Sequence, residues 1–580
     1  MFRFSASWGL VCAAFCLFVG LSGGINAPTG ESYSLLSKRD REKVDRVEAW
    51  VAGFRPFSYA QTSTRSKNLK VKVFRSASQG MGYWVRKNNE VSVESGEEIF
   101  NVPLEACISF NATKGHPAIE HVFDELRKDE FEELSGLGED MAIALFLMIE
   151  ARRGEDSPFS GYVSFLPHNI DSPLMWAKEQ LDEFLQASPA KQRVLSLQRL
   201  ISRVFRTLGK TDDLVNYFPK LFYGMTRATV EEFTWAVATV WARAAFVDLS
   251  GNVQTRKGNV VEIYRPREDK ASGHQNSLKE MKLLETLDIA TYNRRLKAGQ
   301  IKNERLIVPL LDTVNHDRTA SSFYRYVPSQ KAVKLWAGSP YGNGEEVKLN
   351  YGLFSNHDFF VKYGFVDPDN SFDFYRIPVR LHEEEADDGV KTALDEERNR
   401  TKQIQQQFIN RHIVDPGQAT IATDGRPLGE TMLLLRVISM TMPLKPSRSA
   451  KVALAHAQRS LLESIDAGKL NTSKVFDDLQ PFQNHSYMLL HDMCKATLQT
   501  YETLLEDDEK LLARLMDEEN ARGETRSGKR GLSSLIIGLQ VRISDKRILK
   551  KCTEYVKVQL FGNDVNVVVV GEEGQSDGSV

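Results

Sequence analysis

Met141 to Ile149 are nine consecutive apolar residues, and this run limits the possible folds more than any other feature of the chain. Set in EDMAIALFLMIEARRG, it reads as a helix stopped at Gly154. A helix apolar on every face must be surrounded by protein, and at this length it falls short of the ~20 residues that cross a bilayer. It is therefore expected inside a core. A chain of 580 residues, 42% hydrophobic and 26% charged, can supply that core and hold two or three domains.

Short strands are expected before this helix. After an exposed helix from about Asp40 (REKVDRVEAWVAGF) come KVKVFRS at 70–76, GYWVRK at 82–87 and EVSVESGEEIFNV from 90, the last with Val91 and Val93 alternating against Ser92 and Glu94. Residues 172–246 read as helical throughout, ending in TVEEFTWAVATVWARAAF. Strands return at RLIVPLL (305–311), SFYRYV (322–327) and KAVKLWAG (331–338), the last two joined as a hairpin through Pro328-Ser329-Gln330. In EEVKLNYG, Val347, Leu349 and Tyr351 share one strand face at period two. A helix follows in SNHDFFVKYG, opened by Ser355 and stopped at Gly364. Beyond residue 372 the patterns are long and helical; Leu490, Met493, Leu498, Tyr501, Leu505, Leu512 and Leu515 trace one face. The expected class is α+β, a β-rich core followed by an all-α C-terminal domain.

The first thirty residues differ. One charge, Arg3, precedes an apolar run from Trp8 to Leu21, and small residues follow around Ser22 to Ala27. This is the layout of a secretory signal peptide over residues 1–27, which would act as a membrane anchor only if uncleaved. Such a signal can also begin a two-step address into a plastid, so the endoplasmic reticulum, the exterior and a plastid-like organelle all stay open. The tail GEEGQSDGSV (571–580) is expected to be disordered.

Lys+Arg 75 against Asp+Glu 77 leaves no global field, and no local basic stripe marks a nucleic-acid partner. Outside the signal, Cys107, Cys494 and Cys552 are far apart and odd in number, which suits neither a disulfide framework nor a zinc site. His116 and His121 have no third ligand nearby, so no metal is expected. The acidic run EDDEK (506–510) reads as a solvated helix face.

The stretch PLLDTVNHD (309–317) ends an apolar run in Asp312, Asn315, His316 and Asp317. An Asn-His pair read alone is a turn with a satisfied histidine, and Tyr351 read alone is a half-buried strand aromatic. Their spacing of about 35 residues, with Ser-Asn and Tyr-Gly-Phe beyond, reverses that reading.

The order of SQGMGYWV, SGYVSFLP, WARAAF, PLLDTVNHD and GEEVKLNYGLFSNHDFFVKYGFVDPDN resembles the SET-domain protein methyltransferases of the Rubisco large-subunit methyltransferase class, over nearly all of residues 40–560. The resemblance implies a knotted SET core split by a helical insertion. Residues 40–150 would be its first part, 151–246 the inserted helical subdomain, 247–304 an extra insertion, 305–370 its second part and 372–560 a helical substrate-binding domain. It also implies S-adenosyl-L-methionine as cofactor, bound by Gln79, Gly80, Met81, Gly82, Arg243, Asp312, Asn315, His316 and Tyr351. Tyr351 and Tyr363 would be the catalytic aromatics, with Leu311, Phe246 and Phe365 lining the substrate side.

The glycines fit such a pocket because backbone must approach a ligand where a Cβ would intrude. The implied activity is methylation of a lysine of a nonhistone protein, since no cysteine lies between Cys107 and Cys494 to build the zinc closure of histone-type relatives. Some relatives methylate histidine; lysine is preferred because Leu311 and the Phe246 region look apolar, as an alkyl stem requires. A catalytically inactive SET module serving as an adaptor is the other alternative.

Two departures stand out. Ala242 precedes Arg243 where the class usually has serine. Residues 247–304 are longer than usual and contain SLKEMKLLETLDIATYNRRLKAG, where Ser277 and Glu280 form a capping box for an expected helix stopped at Gly299. That segment is either a substrate contact or a tolerated surface insertion.

Overall fold

The computed structural model describes residues 33–34, 36–54, 58–59, 71–76, 80–85, 92–114, 119, 138–168, 170–210, 212–217, 227–251, 253–256, 259–263, 283–286, 302–379, 393–413, 417–441, 448–521 and 529–562. The signal-like segment, Gln79, His116, His121 and the C-terminal tail lie outside them. Two compact units emerge. The first comprises Met1–Ala177, Arg193–Phe354 and Asp358–Gly364, the second Lys178–Gln192, Ser355–His357 and Phe365–Val580.

In the first unit the apolar run forms the helix Gly138–Arg153, with Met141 through Glu150 all buried. It packs against the helix Val230–Arg243, which opens on a Thr229–Glu232 capping box and buries Phe233, Val237, Val240 and Trp241. Each large apolar side chain so buried contributes about 1.5–3 kcal/mol, so a run apolar all round is stable here. Its terminal carboxylate, Glu150, accepts from Ser157 Oγ at 2.6 Å and from Arg153 Nη1 at 3.0 Å. The N-terminal helix Lys38–Ala52 is not simply exposed: Val44, Val47 and Val51 make a buried stripe at helical spacing.

Among the described residues, the strands of this unit form three antiparallel sheets. One runs Tyr33–Ser34, Val71–Ser76, Gly80–Val85, Glu346–Val347. A larger one runs Leu283–Thr286, Asn259–Ile263, Val253–Arg256, Phe323–Val327, Ala332–Trp336, Glu98–Pro103, Ser58–Tyr59. The third places Asn303–Ile307 between Ile108–Ser109 and Ala244–Asp248.

The helix expected from Ser277 to Gly299 is corrected where it is described. Leu283–Thr286 is a strand, paired with Asn259–Ile263 through Leu283↔Ile263 and Thr286↔Val261. The neighbouring β-branched hairpin offers a ready edge, and pairing with it overrides a modest local helix preference. The rest of that segment lies outside the described residues.

The second unit is mostly helical but not all-α. Phe374–Pro378 pairs antiparallel with Gln418–Ala422, and the alternation that buries Tyr375 and Ile377 against Ala419 and Ile421 makes this a two-stranded ladder on the helical core. The single apolar face read from Leu490 to Leu515 is divided between two helices, Gln483–Gln499 and Leu505–Ala521. EDDEK is not wholly solvated either. Glu506 and Glu509 make exposed pairs with Lys550 and Arg547, whereas Asp508 is 1% exposed and takes Lys546 Nζ at 2.6 Å together with Arg542. Sequence spacing shows a charge run but not which of its members turns inward.

The fold also joins two cysteines that looked unrelated. Cys494 and Cys552 meet inside the second unit with their sulfurs 2.6 Å apart, although 58 positions separate them.

Candidate active site

Leu349 is the crossing point on which the site is built. The ladder of Glu346–Val347 with Tyr83 and Trp84 ends at Val347, and Leu349 then changes partner. Its N–H donates to the Asn315 carbonyl at 2.9 Å, and its own carbonyl accepts from Asp317 N at 2.9 Å, a parallel bridge to His316. Tyr351 is thus two residues past the crossing and not at the inner end of a strand, where the alternation from Val347 placed it. Its N–H donates to His316 Nδ1 at 3.2 Å, and its hydroxyl donates to the Val314 carbonyl at 2.8 Å.

Aromatic rings pack about the Tyr351 ring. Tyr363, on the helix Asn356–Tyr363, lies 4.9 Å from Tyr351 between ring centroids, and His316 stands 5.1 Å from Tyr351 and 4.8 Å from Phe359. Phe354 packs beside Tyr363 at 6.2 Å. Burial among these rings pushes the Tyr363 hydroxyl up to about 12, and burial pushes Tyr351 higher still. Both phenols stay neutral through the physiological range. Lys362 holds its ammonium 4.4 Å from the Phe354 ring, and burial keeps it below the usual lysine value.

A buried carboxylate holds the next layer. Leu310 adopts φ 73°, a left-handed conformation that costs a non-glycine residue about 1–3 kcal/mol, and it tips Leu311–Thr313 into a 3₁₀ turn. Asp312 therefore points inward. Its Oδ2 accepts from Arg243 Nη1 at 2.8 Å and from Tyr162 OH at 2.7 Å, with its side chain fully enclosed.

A third cluster joins the two halves of the sequence. The Asn315 amide donates to Glu346 Oε1 at 2.7 Å and to the Met81 carbonyl at 3.3 Å. A Cβ on Gly82 would sit 2.2 Å from Glu346 Oε1 and 2.7 Å from Asn315 Nδ2. In this structure, then, Gly82 makes room for two side chains. Gly80 pairs with Ser76 at the start of the same strand.

Most of the expected residues thus fall into three adjoining groups: Tyr351 with Tyr363 and His316, Asp312 with Arg243, and Asn315 with Met81 and Gly82. Leu311 is buried in the turn beside Asp312. Phe246 differs from the apolar wall expected of it, being 54% exposed with the Arg305 guanidinium 4.7 Å from its ring. Phe365 belongs to the second unit. Tyr162, Glu346, Leu310 and Phe359 were not singled out from sequence. Tyr162 and Glu346 do lie inside SGYVSFLP and GEEVKLNYG, but only tertiary contact shows what they hold.

Comparison with known proteins gives concordant results. Residues 396–549 match the family described as Rubisco LSMT substrate-binding. The chain is 24% identical over 425 residues to the chloroplastic ribulose-1,5 bisphosphate carboxylase/oxygenase large subunit N-methyltransferase of Nicotiana tabacum, covering 72% of this chain and 67% of that protein. It is 24% identical over 457 residues to the chloroplastic [fructose-bisphosphate aldolase]-lysine N-methyltransferase of Arabidopsis thaliana, covering 76% and 74%. Its fold is similar to the crystal structure of the SET domain of LSMT bound to lysine and AdoHcy, with TM-score 0.56 and 16% identity over 90% of this chain and 92% of that one.

Proposed function

We propose that this chain, which belongs to the Rubisco large-subunit methyltransferase class of SET-domain proteins, transfers a methyl group from S-adenosylmethionine to a lysine side chain of a nonhistone protein. The observation that carries the reading is the crossing at Leu349, which brings Asn315 and His316 against Tyr351 from distant parts of the sequence. A relative named as an aldolase-lysine N-methyltransferase and one named as a ribulose-1,5 bisphosphate carboxylase/oxygenase large subunit N-methyltransferase, matched over 74% and 67% of their lengths, support it.

The residues present fit the cofactor. Glu346 and the Met81 carbonyl are acceptors suited to an α-ammonium; the Asn315 amide, which donates to both here, would be released to donate to the carboxylate as the ammonium takes its place, so this cluster would hold the amino-acid end. Bound S-adenosylmethionine supplies an electrophilic methyl carried on a sulfonium. The protein's part is alignment and desolvation of the amine. Removing a proton from lysine near pH 7.4 costs about 4 kcal/mol, and a dry aromatic site lowers that cost by disfavouring the ammonium. Gly82→Ala should weaken S-adenosylmethionine binding at least about tenfold by calorimetry, because the new methyl displaces Glu346 and Asn315.

We further propose that the helices between Gly154 and Arg243 are an insertion splitting the SET core, and that the parallel bridges of Leu349 to His316 and Ser322 mark where the chain threads its knot. Residues 372–560 would grip the protein substrate, a role supported by the family match. The N-terminal segment would carry the chain into a plastid-like compartment, a reading supported by two relatives named as chloroplastic. No helix among the described residues is long and apolar enough to cross a membrane.

The test is transfer of labelled methyl from S-adenosylmethionine to an extract of the source cells, followed by acid hydrolysis. Label in methyllysine is expected. Label in methylhistidine would keep the fold and overturn the acceptor, and no label with cofactor binding intact would leave an adaptor.

A further inference from the structure

Cys494 lies on the helix Gln483–Gln499 and Cys552 on the helix Lys529–Phe561, both wholly buried in one apolar cluster with Leu490, Leu549 and Val556. Leu490 and Cys494 are one helical turn apart, as are Leu549 and Cys552, so each cysteine sits on the buried stripe of its own helix. The two stripes face each other. Their thiols are in direct contact, with the sulfurs 2.6 Å apart and no other side chain needed between them. A glycine turn holds the register from the other side: Gly425, at φ +84°, packs so tightly on the second helix that a Cβ would meet the Lys551 carbonyl carbon at 2.4 Å and Cys552 N at 2.6 Å. A packing role for two small apolar residues would not require both to be cysteine.

We propose that Cys494 and Cys552 form an intramolecular disulfide that ties these two helices together. The inference does not depend on the methyltransferase reading. The bond forms by exchange with a disulfide donor, either a small-molecule disulfide such as oxidised glutathione or a protein disulfide. One cysteine thiolate attacks the donor disulfide and expels one thiol, and the second cysteine then attacks the mixed disulfide and expels the other. Two cysteine thiols lose two protons and two electrons, and the donor becomes two thiols. Exchange happens while the chain folds. Once it is folded, the hydrogen bond between the thiols and their burial disfavour the Cys494 thiolate, and neither sulfur is accessible. A route through an oxidising compartment, as the N-terminal segment suggests, would supply the donor. Cys107 is buried on the first unit and takes no part.

The test refolds the full chain from a reduced, denatured state in a buffer of reduced and oxidised glutathione, blocks free thiols under denaturing conditions, and maps peptides by mass spectrometry without reduction. The expected result is a linked peptide containing Cys494 and Cys552, two hydrogens lighter than its parts, with Cys107 blocked as a free thiol. Closing a loop of 58 positions should also raise the thermal midpoint by about 10 °C, a gain lost on reduction and absent from a Cys494→Ala, Cys552→Ala double variant. Full blocking of both cysteines would overturn the proposal, and so would a map in which each carries glutathione. The map needs no variant, so it stands even if the double variant folds poorly.

Discussion

Tyr351→Phe is expected to lower the rate of methyl transfer by about 10²–10³-fold, as loss of one preorganised polar group at a reacting centre does, with KM for the cofactor unchanged. The geometry gives the reason. The Tyr351 hydroxyl spends its proton on the Val314 carbonyl at 2.8 Å, so what it offers an incoming amine is a fixed oxygen lone pair. That oxygen can accept an amine N–H and aim the nitrogen's own lone pair away from itself. Burial raises Tyr351 well above the ordinary tyrosine value, so it cannot serve as a tyrosinate base in an ordinary assay. The pH profile should therefore rise with loss of the substrate's ammonium proton and show no inflection from a tyrosine of lowered pKa. Phenylalanine keeps the ring contacts with His316 and Tyr363 and costs about 1 kcal/mol of stability for the lost hydrogen bond. A variant with normal turnover, or one that loses cofactor binding in step with rate, would show that the hydroxyl does not orient the amine.

Much of this was legible because periodicity reports burial directly. The run Met141 to Ile149 could only be a core helix, and it is one. The hairpin around Pro328-Ser329-Gln330 followed from alternation and turn chemistry, and it is present as Phe323–Val327 against Ala332–Trp336. Tertiary competition was not legible. Leu283–Thr286 has a helical environment in sequence and a strand environment in space, because Asn259–Ile263 needs a partner on that edge. At the site, the residues picked out by spacing, Asn315, His316 and Tyr351, do come together, although Tyr351 lies past the end of the ladder expected to carry it. Those carried only by contact, Tyr162 and Glu346, could not be separated from ordinary core and surface residues. A left-handed leucine such as Leu310 leaves no local signal, since only the folded environment forces it. Gly82 shows the same limit from the opposite direction: the need for a missing Cβ could be read from sequence, but not that Glu346 and Asn315 are the side chains standing where it would fall.

Asp312→Ala should destabilise the first unit by about 3–5 kcal/mol, the usual cost of removing one member of a buried ion pair. Its carboxylate is fully enclosed and Arg243 is only 16% exposed, so water cannot replace the lost partner. The same substitution strands the Tyr162 hydroxyl, whose hydrogen bond goes to the same oxygen. A fall in thermal midpoint of about 10 °C is the corresponding scan result. Asp312→Asn should fall between the two, since an amide oxygen can still accept but the charge is gone. Loss of activity in either variant would not by itself distinguish a structural carboxylate from one that positions Arg243 for chemistry. The triple variant Asp312→Leu, Arg243→Met, Tyr162→Phe does, because replacing a buried polar cluster with apolar groups of similar size recovers most of the stability. If the cluster only holds the fold together, methyl transfer returns with the melting temperature. If it fixes the site as the distances suggest, the triple variant melts near the parent and remains inactive, which would assign the Asp312, Arg243 and Tyr162 cluster a part in binding or catalysis that stability alone does not explain.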